Sequence, residues 1–138
     1  MAINYGSDTS TWGPDGRPSM GFDRPDITGI RVVLEAAART ITTPLGELFF
    51  DTTIGVTRPL QSLVNADLSD ADLVNIAGEW AQAVREQVDF VTRARFVITR
   101  DATGKNLSFV ATIWTADGAF PLLGSAGDAL KVLFPSGT

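Results

Sequence analysis

The chain has no cysteine and no histidine. Without cysteine there are no disulfide scaffolds, thiol nucleophiles or thiolate metal sites. Without histidine the ordinary neutral-pH proton shuttle and the commonest metal ligand are gone, so any catalysis would rest on carboxylates, lysine, tyrosine or hydroxyls. No stretch approaches the ~20 apolar residues of a membrane span. The opening residues, with Asn4, Gly6, Asp8 and Pro14, do not form the basic, apolar leader of a secreted protein, so the expectation is a protein made and assembled in solution. Basic residues are scarce too: 11 Lys and Arg against 16 Asp and Glu give a formal charge of -5. No Lys/Arg cluster gathers into a basic stripe, and nucleic acid is not an expected partner. What is present is an apolar fraction of 44% in 138 residues, enough for one compact core and too short for two.

Residues 1–26 read as an extended N-terminal arm. Gly6, Gly13, Pro14, Gly16, Pro18, Gly21 and Pro25 break any helix or central strand there. Tyr5, Trp12, Met20 and Phe22 are spread through this arm without periodicity, and large apolar groups gain nothing unless a surface covers them. The arm is expected either to fold over the chain's own domain, to be simply disordered, or to dock onto another subunit.

Residues 27–123 carry the periodic patterns. Thr28 can cap a helix with Ile30, Val33, Leu34 and Ala37 on one face and Arg39 in its last turn. Ile41 and Thr42 read as strand, Pro44-Leu45-Gly46 as a tight turn and Leu48 to Phe50 as the returning strand. Arg58-Pro59 opens a brief helical turn through Leu60 and Val64. Ser69-Asp70-Ala71-Asp72 is a capping box with Asp in place of Glu, leading a helix with Leu73, Ile76, Ala77, Trp80, Ala83 and Val84 to about Glu86. Ala94, Phe96 and Ile98, then Leu107, Phe109, Ala111 and Ile113, alternate as two strands, and Ala116-Asp117-Gly118 turns into a third strand from Ala119 to Leu123. Pro121 marks that strand as a sheet edge. Residues 124–138 read as a flexible Gly124-to-Gly127 joint followed by an apolar strand-like tail with Leu130, Val132, Leu133 and Phe134. The tail either pairs within its own sheet or adds to a neighbour's. The expected fold is α+β: a small, mostly antiparallel sheet with two main helices packed on one face, an extended N-terminal arm and a strand-like C-terminal tail.

This order of elements resembles the contractile-tail phage baseplate wedge family, also described as W-like or lysozyme-like baseplate proteins. The likeness is strongest from Arg39 to Gly55, where Thr43-Pro44-Leu45-Gly46-Glu47, Phe50-Asp51 and Ile54-Gly55 resemble the family's threonine, glycine-glutamate and tyrosine-glycine pattern. It extends over roughly Ile27 to Leu123, and Tyr5-Gly6-Ser7-Asp8 resembles the amino end of the Mu-like branch. The family's glutamate-proline-arginine triplet is replaced here by Val88-Asp89-Phe90-Val91-Thr92-Arg93, so contacts assigned to that triplet do not carry over. The resemblance implies a structural subunit of a phage, prophage or injection-like particle. It would stand in several symmetric copies, six by analogy, against other wedge proteins, the tail sheath and the tail tube, within the virion.

Partner-binding candidates are Tyr5, Trp12 and Phe22 on the arm, Trp114, Pro121 on the edge, and Leu130, Val132 and Phe134 on the tail. Trp114 falls out of phase with Leu107, Phe109, Ala111 and Ile113 and therefore points away from the core, whereas Trp80 shares the spacing of the core positions. The lysozyme label of some relatives raises a second reading, a peptidoglycan hydrolase working with two carboxylates, for which Glu47 and Asp51 are the candidates. Isolated carboxylates at such spacing are ordinary in an acidic domain, and the structural reading is preferred. No Gly-rich phosphate loop is present and no cofactor is expected.

Overall fold

The computed structural model describes residues 4–9, 12, 26–46, 55–64, 66–101, 106–127 and 130–134. Helix formation is strongest where the capping box sits. Ser69 Oγ accepts from Asp72 N at 3.2 Å and Asp72 Oδ2 accepts from Ser69 N at 2.9 Å, which satisfies two orphan donors and starts α2, Asp70–Gln87. The Ser69 backbone N–H donating to the carboxylate, with the Ser69 hydroxyl beside it, holds the Asp72 carboxyl below its ordinary pKa. Leu73, Ile76, Ala77, Trp80 and Val84 form the buried stripe of α2.

That stripe lies on a four-stranded antiparallel sheet of β3 (Arg93–Arg100), β4 (Leu107–Thr115), β5 (Gly118–Ala126) and β6 (Lys131–Leu133), in the order β3-β4-β5-β6. Alternation decides what faces the helices. Phe96 and Ile98, Leu107, Phe109, Ala111 and Ile113, Leu122 and Ala126, and Val132 are all buried. Trp80, fully buried, meets Phe96 and Phe109 edge-on with ring centroids 5.7 and 6.0 Å away, and its Nε1 donates to the Arg58 carbonyl at 2.8 Å. The expected α+β architecture is thus what the chain adopts.

Several local expectations are corrected. The first helix, α1, spans Ile30–Thr42 with Gly29 at its N-cap; Thr28 belongs instead to β2 (Asp26–Thr28), which pairs with β1 (Ser7–Thr9). Ile41 and Thr42 are helical, not strand. Ile41 continues the buried face of Leu34, Ala37 and Ala38, while the Thr40 and Thr42 hydroxyls donate back to the Ala36 and Ala38 carbonyls at 3.0 and 2.9 Å. The chain then passes through Pro44, which forms a parallel bridge with Val56. Leu48 to Phe50 lie outside the described residues.

The C-terminal expectation fails at the joint. Gly124, Ser125 and Ala126 continue β5, and Leu123, Gly124 and Ser125 pair with Leu133, Val132 and Lys131 of β6, so the tail completes its own sheet. A β-carbon on Gly124 would stand 2.6 Å from Phe109 Cζ and 2.9 Å from the Lys131 carbonyl oxygen. Glycine here lets β6 and Phe109 close in, and does not serve as a hinge. Pro121 consequently sits in an inner strand; among the described residues it pairs only toward β4, opposite Thr112, two residues beyond the level of Leu133.

The arm is also gathered in where it is described. Tyr5 is 8% exposed and Trp12 3%. The Tyr5 hydroxyl donates to Asp117 Oδ2 at 2.7 Å and lies 2.9 Å from Thr115 Oγ1; with its single proton spent on the carboxylate, the threonine must donate to the phenol oxygen. The Tyr5 ring meets Phe90 edge-on at 5.2 Å, with Phe90 in the left-handed region at φ 72. Trp12 packs on Phe134 at 5.8 Å, and the Arg31 guanidinium lies 3.9 Å over the same phenylalanine ring while Nε binds the buried Glu35 at 2.8 Å. Arm and tail therefore clasp each other over α1.

Two predictions follow from these contacts. Burial, more than the Asp117 charge and hydrogen bond, pushes the Tyr5 phenol above its ordinary value of 10.0, against an opposing Thr115 bond. An acid weakened by folding stabilises the native state fully below its unfolded pKa and loses that contribution as pH rises through the folded value. Chemical denaturation is therefore expected to show stability falling above pH 10, and Tyr5→Phe, at a cost of roughly 1–2 kcal/mol at pH 7, flattens that fall. Gly55 has φ 111 and a β-carbon there would lie 3.0 Å from the Pro44 carbonyl carbon. Gly55→Ala is expected to destabilise by roughly 1–3 kcal/mol, read from the denaturation midpoint.

Candidate functional site

Because both helices cover the same side of the sheet, its other face meets solvent. The outward positions are Arg93, Arg95, Val97 and Thr99 on β3, Ser108, Val110, Thr112 and Trp114 on β4, Ala119, Pro121, Leu123 and Ser125 on β5, and Lys131 and Leu133 on β6. An open antiparallel face is ordinarily polar. Here one register level is apolar on every strand: Val97 stands opposite Val110, Val110 opposite Leu123, and Leu123 opposite Leu133. Their exposures are 45, 55, 42 and 49%. With neighbouring strands ~4.8 Å apart, this row runs roughly 14 Å straight across the sheet.

The adjoining levels are mixed. Arg95, Thr112 and Pro121 lie in register on one side of the row, and Thr99, Ser108, Ser125 and Lys131 on the other. One level further, Trp114 is half-buried opposite Arg93, whose guanidinium lies 4.8 Å from the indole ring centre. No acidic side chain occupies any of these outward positions. At the β3 edge the row runs on into a groove of about 380 Å³ between β3 and α2, lined by Leu73, Val74, Ala77, Phe96 and Ile98 among others.

Roughly 1.5–3 kcal/mol is gained by fully covering a side chain of this kind, so four half-exposed ones offer roughly 3–6 kcal/mol to a partner. Association costs about 4–15 kcal/mol in lost freedom. The row alone does not hold a partner, and the rows beside it must contribute.

The sequence-predicted residues divide sharply. Trp114 sits on the open face as its phase required, and Pro121 lies beside the apolar row, exposed. Tyr5, Trp12 and Val132 are buried inside the chain's own core, at 8, 3 and 0% exposure, and Leu130 and Phe134 pack against that core. The chain shelters these five side chains itself, which removes them from the docking surface, while Lys131 and Leu133 of the same tail stand on the open face. Phe22, Glu47 and Asp51 lie outside the described residues. Val97, Val110, Leu123 and Leu133 were missed as site residues. The available signal was an apolar residue in the polar phase of each strand, which becomes a row only once the strand registers are known.

A second set of contacts ties the segment around Gly55 to α2. Gln87 at the end of α2 accepts from Gly55 N at 2.8 Å and donates to Gly55 O at 2.9 Å, while Leu45 N and Val56 N bond to Val56 O and Thr43 O, each at 2.9 Å. Gly55 is thus fixed against α2 in the segment where the baseplate resemblance is strongest. Among the described residues no group of three Asp or Glu could hold a metal ion, and no helix is long and apolar enough to cross a membrane.

If the row serves contact and not folding, its removal leaves stability nearly unchanged. Val110→Ser is expected within about 0.5 kcal/mol of the parent, while Ile113→Ala, three residues on and facing the helices, costs about 2–5 kcal/mol. Thermal melts of the two variants side by side make the comparison.

Neither a scan against protein-family models nor a search of curated proteins finds a match to this chain.

Proposed function

We propose that the chain is a structural subunit of a contractile-tail baseplate, a wedge component near the tube and the first sheath ring, acting through protein-protein assembly within the virion. The carrying observation is the solvent-facing apolar row of Val97, Val110, Leu123 and Leu133, flanked by Trp114 and arginines. Such a face has little use in an isolated subunit and is a liability unless covered. The helix, short helical turn, long helix and antiparallel meander come in the order that the wedge resemblance names; of the hairpin it also names, Ile41 and Thr42 are helical and Leu48 to Phe50 lie outside the described residues. Gly55, part of the resembling motif, has a backbone conformation that calls for glycine.

In this reading the mechanism is mechanical. The helices hold one side of the sheet rigid while the other side is presented to neighbouring wedge, sheath or tube proteins. Repetition in several copies about the tail axis, six by analogy, turns modest single contacts into a stable ring.

The test is incorporation. Tagged chain expressed in the cells that encode it is expected to co-sediment with contractile particles, and Val110→Asp with Leu123→Asp is expected to keep its melting temperature and lose co-sedimentation. A chain absent from the particles, or a double variant incorporated like the parent, overturns the reading. Peptidoglycan clearing by the purified chain that is lost in Glu47→Gln or Asp51→Asn would establish the hydrolase reading in its place.

A further inference from the structure

The open face is basic along its paired strands. Arg93, Arg95 and Lys131 are the ionisable groups at its outward strand positions, and no carboxylate among the described residues pairs with any of them; Asp101, one step past β3, is hydrogen-bonded to Asn106. The chain as a whole carries 11 basic and 16 acidic side chains, so the remainder has eight basic against sixteen acidic. A cationic, apolar face on a strongly acidic protein is complementary to the opposite arrangement.

The three cations are also placed. Arg95 borders the apolar row at its β3 end and Lys131 at its β6 end, on opposite sides of the row, and the Arg93 guanidinium lies over the Trp114 ring, 4.8 Å from its centre. A guanidinium stacked on an aromatic ring keeps its N–H edge free for a carboxylate, which it binds in a bidentate fork. Two like faces would oppose three cations with three, which disfavours pairing of this face with itself. Nucleic acid is disfavoured by the aliphatic centre, since base stacking needs aromatic platforms and a single tryptophan is present here.

We infer that the open sheet face takes an acidic protein partner, one presenting an apolar strip roughly 14 Å long with carboxylates at both ends. The inference rests on the reading of this face as an assembly surface and adds the chemistry of what covers it. Apolar cover supplies the affinity, and the cations set orientation and exclude basic or self-matched surfaces.

The experiment places a photo-crosslinking amino acid at Thr112, between the apolar row and the arginines, in the full-length chain within the cells that encode it. The crosslinked peptide is then sequenced. The expected product is one dominant protein partner whose crosslinked segment carries an excess of Asp and Glu around apolar residues. Arg93→Glu with Arg95→Glu is expected to lower the crosslink yield tenfold or more, whereas Arg93→Lys with Arg95→Lys retains most of it. Should the reversed variant melt early, Arg95→Gln in the same assay replaces it. A basic or neutral segment, nucleic acid, lipid, the same face of a second copy, no crosslink, or a yield indifferent to charge reversal overturns the inference. Because the crosslink forms in the cell, an acidic partner found for a chain absent from particles would sink the baseplate reading alone. Incorporation without such a partner would sink this inference alone.

Discussion

Trp80 is where the helix, the sheet and the segment leading into the helix are joined. Its ring lies edge-on to Phe96 of β3 and Phe109 of β4, and its indole N–H is satisfied by the Arg58 carbonyl. A fully buried indole of this size contributes several kcal/mol of apolar burial and loses little to its polar atom, because that atom has a partner. The position of α2 against β3 follows from it, and so does the choice of which side of every strand faces inward. With both helices committed to that side, whatever the outward phase contains is left to solvent.

The outward phase is therefore the informative one. Core residues of a small domain are selected for volume and shape, and they say little about purpose. Aliphatic residues at one level of four successive outward positions serve no fold that the helices do not already serve. Their neighbours sharpen the point. Cations without carboxylates and a tryptophan under an arginine make a face with a defined chemical preference on a protein whose remaining surface is acidic. The feature that sets this chain apart is a surface.

Much of the architecture is legible in the amino-acid order. The Ser69 capping box, the stripe from Leu73 to Val84, the alternation of Phe96 and Ile98 and of Leu107 to Ile113, and the outward phase of Trp114 are local signals, and the structure carries them through. The misreadings share a cause. Ile41 and Thr42 have strand-forming side chains, but Ile41 lies on the buried face of α1 and tertiary packing overrides propensity. Gly124 and Gly127 resemble a joint because glycine is common in joints; Gly124 is there because Phe109 and the β6 backbone need its missing side chain. The arm shows no periodicity, so nothing local announces that Tyr5 would find Thr115 and Asp117. The apolar row was invisible for the same reason: its members are ten or more residues apart along the chain and meet only through register.

The clasp between arm and tail bears on how the molecule is made. Tyr5 reaches a threonine 110 positions later, and Trp12 packs on Phe134 beyond the last turn of the sheet. Both contacts span most of the core in sequence, so Tyr5 stays uncovered until Thr115 and Asp117 have been made and Trp12 until Phe134 has, and the clasp closes late in folding. A chain cut before Phe134 would lack that aromatic cover for Trp12 and present a sticky ring to quality control.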